Sequence, residues 1–365
     1  MHGGPADAID LKTLGRVIVV KLRHHGDVLL ASPVFTVLKN HVPRAQIDAL
    51  VYADTQEMLS QHPAISRVHT IDRKWKSSGM LSRALSEGSL YRALRSRRYD
   101  LLVHLSDQVR GAWLARMLGC RYAVAPERAA GHAAGCGFWK HSFTHRYPLV
   151  ARRHAVELNL DALRRIGIQP SEAERRLVLV PGAEAEARVA ELLASEGIPD
   201  GGFIHLHPAS RWRFKCWTVE GTAALIDRLH ADGERVVLTS APDRSELDLV
   251  AAIRGRCERA PANLAGKLSL KMVAALAGRA KLFIGVDSAP MHIATAMGTP
   301  VVALFGPSGE TEWRPWGVAH RTVASSVHPC RPCGQDGCGG GKVSECLTSI
   351  APDAVLEAAH SLLRP

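Results

Sequence analysis

Residues 282–299 read Leu-Phe-Ile-Gly-Val-Asp-Ser-Ala-Pro-Met-His-Ile-Ala-Thr-Ala-Met-Gly-Thr. The apolar run 282–286 predicts a strand buried on both faces of a parallel sheet. Asp287 and Ser288 are helix-capping types, and Pro290 suits a first helical position. Gly298 ends a helix of about two turns, and Pro300 forbids its continuation. A strand feeding a capped helix leaves N–H groups pointing out of the sheet's carboxyl edge. Such a helix start carries roughly +0.5 charge and receives phosphate readily. An ordinary β-α unit with a good cap reads the same way, so this stretch decides the fold before it decides a ligand.

Working outward, the same alternation repeats. Phe203–His207, Arg235–Thr239 and Val301–Phe305 read as strands, with helices at 218–231, 243–254 and 269–279 between them. Nearer the start, Arg16–Leu22, Ile47–Val51 and Leu101–Leu105 are strands, and 28–39, 79–98 and 106–118 carry helical periods. Strands alternating with helices predict parallel sheets covered on both faces. The polar, breaker-rich Gln169-Pro170-Ser171-Glu172 separates the two series. The expected fold is therefore α/β, with two doubly wound Rossmann-like domains facing a cleft. Residues 1–170 form the first, 171–350 the second, and a last helix in 351–365 packs back on the first.

Charge narrows the function. The 365 residues carry 46 basic and 35 acidic side chains, a net +11, which points to an anionic partner. Aromatic residues are only 5%, too few to supply stacking platforms for single-stranded nucleic acid. No apolar run approaches the roughly 20 residues that span a bilayer. The first 15 residues lack a signal-peptide pattern, so a cytoplasmic protein is expected.

Three loops fall at strand carboxyl ends, where open α/β sheets bind ligands. His24-His25-Gly26-Asp27 offers a glycine for a tight turn and a carboxylate. Asp27 is either a helix cap or a general base for a hydroxyl. His207-Pro208-Ala209-Ser210-Arg211-Trp212-Arg213-Phe214-Lys215-Cys216-Trp217 alternates cations with aromatics, and Lys215 is a compact charge suited to a phosphate oxygen. In Ser240-Ala241-Pro242-Asp243-Arg244-Ser245-Glu246, Asp243 or Glu246 either accepts from ribose hydroxyls or serves a helix N-terminus. Cys330, Cys333, Cys338 and Cys346 are either structural zinc ligands at an irregular spacing or a reduced cysteine-rich loop.

Taken together, Gly26-Asp27-Val28-Leu29, His207-Pro208 through Phe214-Lys215-Cys216-Trp217, and Asp287-Ser288-Ala289-Pro290-Met291-His292-Ile293-Ala294 resemble the bacterial lipopolysaccharide heptosyltransferases. The Phe-Lys-Cys-Trp form, Tyr99-Asp100 followed by Ser106-Asp107-Gln108, and the terminal Cys-Gly-Gln-Asp-Gly-Cys segment are most similar to the heptosyltransferase III branch. The resemblance runs from about residue 15 to about residue 363. It implies a GT-B fold and inverting transfer of heptose from ADP-heptose to a heptose of the lipopolysaccharide inner core. It implies no cofactor and no catalytic metal, and work at the cytoplasmic face of the inner membrane.

By the same resemblance, Asp27 takes the general-base position and Lys215 the position that contacts the donor phosphates. Asp287 takes the donor-heptose position, His292 lies beside the phosphates, and Leu268 falls near adenine. The sequence departs from the family's pattern at His24, where relatives carry a small hydroxyl residue, and at Ala289, where some have glycine. The expected donor set is completed by Ser210 and by the N–H groups of Ser288 to Met291. The basic stretch 73–98, beginning with Arg73, Lys74 and Lys76, is either a solvated basic helix or the acceptor and membrane side, against phosphorylated lipid A–core. An epimerase of the same architecture is the rival enzyme reading.

Overall fold

A computed structural model describes residues 5–77, 79–127 and 136–363, with the side chains of Lys76 and Cys136 outside that description. The chain divides into two units, one ending at Val178 and the other beginning at Leu179.

The first unit holds β1 (Arg16–Val20), β2 (Gln46–Tyr52), β3 (Arg67–Ile71), β4 (Leu101–His104), β5 (Tyr122–Pro126) and β6 (His145–Tyr147). They form one parallel sheet in the order β3-β2-β1-β4-β5-β6. Val17 to Val20 have no exposed surface, as expected of a central strand covered on both faces. The second unit repeats the plan with β7 (Ile204–His207), β8 (Val236–Leu238), β9 (Ala262–Asn263), β10 (Leu282–Val286), β11 (Val301–Phe305) and β12 (His320–Ala324). Their order is β12-β11-β10-β7-β8-β9, again parallel. In each sheet the winding direction reverses once, between β1 and β4 and between β7 and β10. These switch points open crevices at the strand carboxyl ends.

Several expectations change in detail. The helix expected over 28–39 is two helices, His25–Leu29 and Ser32–His41. Pro33 has no N–H to return to Leu29, so one continuous helix cannot form there. The loop expected at His24 to Asp27 is therefore mostly the first of these helices, and Gly26 is a helical residue rather than a turn. The breaker-rich 169–172 segment stays with the first unit. Glu174 accepts from the backbone and hydroxyl of Ser171 and from Asn40, and Val178 N–H donates to the Ser32 hydroxyl.

The last helix, Pro352–Leu363, buries Val355 and Ala359 in the apolar core of the second unit with Leu225 and Leu229. Its outer face pairs Asp353 with Arg228 and His360 with Asp232.

Candidate active site

In the second unit, the β7 and β10 ends bring two distant motifs into contact. The chain leaves β7 at His207, turns through a short 3-10 helix at Arg213–Lys215, and carries Lys215 to the end of β10. There its ammonium donates to Asp287 Oδ2 at 2.6 Å. Asp287 is 7% exposed and Lys215 24%, so the pair is sheltered but open on the lysine side. The turn is braced from below: Phe214 is buried, its carbonyl accepts from the Ser344 hydroxyl, and Trp217 Nε1 donates to the Ile350 carbonyl. The two tryptophans thus differ, since Trp217 fills core while Trp212 is 45% exposed.

After β10, Ser288 caps the helix Ala289–Ala296 with its backbone only. Its hydroxyl is buried with no hydrogen-bond partner among the described residues, so it is available to a ligand oxygen. The N–H donors are fewer than expected. Pro290 has none, and Met291 N–H is bonded to the Ser288 carbonyl, leaving those of Ser288 and Ala289. Met291 and His292 are buried in the helix, and the Met291 side chain packs with Phe283 and Phe305 in the core. Ser210 is buried at the end of β7, where its hydroxyl accepts from Trp212 N–H at 3.3 Å.

The two acidic candidates beyond β8 separate. Asp243 is the N-cap of helix Arg244–Arg254, accepting from Ser245 N–H at 3.0 Å and its hydroxyl at 2.6 Å. Those bonds hold its carboxyl below the usual range. Glu246 is buried, and Oε2 accepts from Ala241 N–H at 2.9 Å directly after the strand. Burial raises its carboxyl. Asp243 is thus the cap of its helix, and Glu246 stands buried at the strand end. Gly266, at φ +70°, lies against Pro242 and Leu247, and Leu268 two residues on is half-buried against the core cluster of Val237, Leu264 and Leu276.

Beneath this edge lies a network the sequence reading missed. Thr239 Oγ1 bonds His205 Nε2 at 2.7 Å and His207 Nδ1 at 2.8 Å. Burial pushes His205 down to about 3 and His207 down to about 4, so both rings are neutral near pH 7. Alternating histidines on one strand, His205 and His207, were the only signal for it.

In the first unit, Asp27 is half-buried in the first turn of His25–Leu29. Lys21, 8% exposed, donates to the Leu105 carbonyl and to Asn159 Oδ1, both at 2.9 Å, while Asn159 donates to the Leu30 carbonyl. This buried cation braces the Asp27 helix. Burial pushes Lys21 down to about 8, and the charge of Asp27 opposes that shift. Arg73 reaches the same edge: it donates to the Arg23 carbonyl at 3.0 Å, pairs with Asp54, and lies 3.7 Å over the Tyr52 ring. His24 and Lys74 are exposed nearby. Lys21, Asn159 and Asp54 carried no sequence signal because each acts through distant partners. Lys76, expected here too, has a side chain outside the described residues.

Of the cysteines, Cys330, Cys333 and Cys338 are exposed and Cys346 is buried. Among the described residues no group of three or more His, Cys, Asp or Glu is arranged to hold a metal ion.

Comparison with known proteins gives the family. The family model of glycosyltransferase family 9 (heptosyltransferase) matches residues 88–343. Lipopolysaccharide heptosyltransferase 3 of Escherichia coli is 39% identical over 297 residues, covering 81% of this chain and 84% of that protein. The crystal structure of a family 9 glycosyl transferase from Veillonella parvula superposes with a TM-score of 0.82 at 23% identity, covering 98% of this chain and 99% of that one. An E. coli heptosyltransferase crystallised with ADP superposes at 0.71 with 20% identity, covering 95% and 99%. These two structures share the GT-B fold. The chain belongs to glycosyltransferase family 9, the heptosyltransferases.

Proposed function

We propose that the protein transfers L-glycero-D-manno-heptose from ADP-heptose to a heptose of the lipopolysaccharide inner core, as a heptosyltransferase III-type enzyme. The carrying observation is the Lys215–Asp287 pair beside the unpartnered Ser288 hydroxyl, at the switch point of the second sheet. The relatives support the donor: an E. coli heptosyltransferase was crystallised with an ADP-heptose analogue, and heptosyltransferase 3 is the 39% relative.

In this reading the acceptor hydroxyl attacks the anomeric carbon as Asp27 takes its proton. The carbon–oxygen bond to the diphosphate breaks, ADP leaves, and the anomeric configuration inverts. Lys215, the Ser288 hydroxyl and the Ser288 and Ala289 N–H groups meet the charge growing on the diphosphate. They are in place before reaction, which is what makes such electrostatic help effective. Glu246 holds the ribose and Leu268 the adenine.

The acceptor is lipid-linked and anionic. Met80, Leu81 and Leu85 are 90%, 75% and 62% exposed at the start of helix Met80–Ser96, close in sequence to Arg73 and Lys74. Apolar tips among cations suit an anionic bilayer surface, where each cation contributes roughly 1 kcal/mol. Among the described residues no helix is long and apolar enough to cross a membrane. Pelleting with anionic vesicles should be strong at low salt and weak at high salt; binding that ignores salt removes the membrane part of the proposal.

Mass spectrometry of a truncated core acceptor incubated with ADP-heptose tests the whole. One added heptose is expected. Conversion of ADP-heptose without acceptor would replace the transferase with an epimerase.

A further inference from the structure

A cavity of about 440 Å³ lies beside Lys215, within the second unit, and no role above uses it. Phe214, Lys215, Pro307, Gly309, Glu312 and Trp313 line it. Its volume is within the range of small-molecule sites.

The strand order says what reaches it. Across the sheet from one edge, Leu268 follows β9, Glu246 follows β8, Lys215 follows β7, and Asp287 follows β10. On the reading above, these meet adenine, ribose, diphosphate and the near side of the donor sugar in turn. The next strand in the same direction is β11, and the segment after it is Pro307 to Trp313. Neighbouring strands lie about 4.8 Å apart, so these five ends cover about 19 Å, the scale of an extended nucleotide sugar. The sugar's far end therefore points at the cavity.

The lining suits a polyol. Glu312 is half-buried, and its carboxylate has no hydrogen bond or ion pair among the described residues, whereas its neighbour Glu310 is paired with Arg331. It folds back over Gly309 so closely that a Cβ there would lie 2.1 Å from Glu312 Oε2. An ionised carboxylate accepts strongly from adjacent hydroxyls. Trp313, packed against the Phe305 cluster, supplies a fixed apolar wall.

We infer that this cavity takes the C6–C7 end of the donor sugar, and that Glu312 selects a heptose over a hexose by accepting from its terminal hydroxyls. The inference rests on the proposed transferase reading. A hexose of the same configuration lacks C7 and would leave the carboxylate without that partner.

The full chain is assayed with one truncated core acceptor and either ADP-heptose or ADP-mannose. Wild type should favour ADP-heptose in kcat/KM. Glu312→Ala should lower kcat/KM for ADP-heptose about ten- to a hundredfold, with a much smaller change for ADP-mannose, so the preference collapses. Gly309→Ala, which displaces the carboxylate while keeping it, should move the preference the same way. Equal loss with both donors, or an undiminished preference, overturns the inference. Absence of transfer from either donor to wild-type product overturns the transferase reading instead.

Discussion

Lys215 Nζ and Asp287 Oδ2 lie 2.6 Å apart although 72 residues separate them in the chain. The contact joins the loop after β7 to the loop after β10, the two strands that flank the switch point. The carboxylate holds the ammonium at the strand edge where, on the proposed function, the donor diphosphate binds. Lys215→Ala should weaken donor binding and turnover together, lowering kcat/KM by about a hundredfold or more. Calorimetry with ADP and steady-state kinetics check it. An unchanged ADP affinity would remove Lys215 from the phosphate site.

Asp27 is half-buried in the first turn of a helix braced by Lys21 and Asn159, and the proposed function makes it the base. Asp27→Ala should lower kcat by about 10²–10⁴-fold while donor affinity stays within about twofold. Transferase activity near the wild-type level would end its assignment as the base.

Asp243 and Glu246 make opposite predictions. Asp243→Ala removes an N-cap and should lower the urea midpoint, with ADP affinity unchanged. Glu246→Gln should leave the fold intact and weaken ADP binding about tenfold. If the two results exchanged places, the ribose contact would belong to Asp243.

Three buried histidines make stability depend on acid. Burial pushes His205 to about 3, and His207 and His104 to about 4, while histidines in an unfolded chain titrate near 6.5. The folded state keeps the neutral rings, so between those values the unfolded state binds more protons. Their contribution is complete above about pH 6.5 and is lost as pH falls toward 4, by about 1.4 kcal/mol per histidine per pH unit. Urea titrations from pH 7 to 4.5 should show a falling midpoint. A flat profile would mean that these rings carry charge inside the fold.

Most of the architecture was legible from apolar runs and their punctuation. Leu282–Val286 and Val301–Phe305 lie within their expected bounds because five buried residues between breakers leave little else for the chain to do. The strands missed were those without that signal. β3 and β12 are half-exposed edge strands, β6 and β9 have three and two residues, and Tyr122–Pro126 is rich in alanine. The Rossmann alternation, the loops at the strand ends and the candidate types Asp27, Lys215, Asp287 and Glu246 all follow from local pattern.

Which of those candidates meet was another matter. The pairing of Lys215 with Asp287, the burial of Lys21 beside the Asp27 helix and the cavity beside Glu312 depend on strand order. Strand order is a long-range property. Periodicity reports which face of an element is buried, but only the packed sheet sets which elements become neighbours. The docking of the last helix on the second unit is of the same kind: its apolar face was plain, and the partner for that face was chosen by the fold.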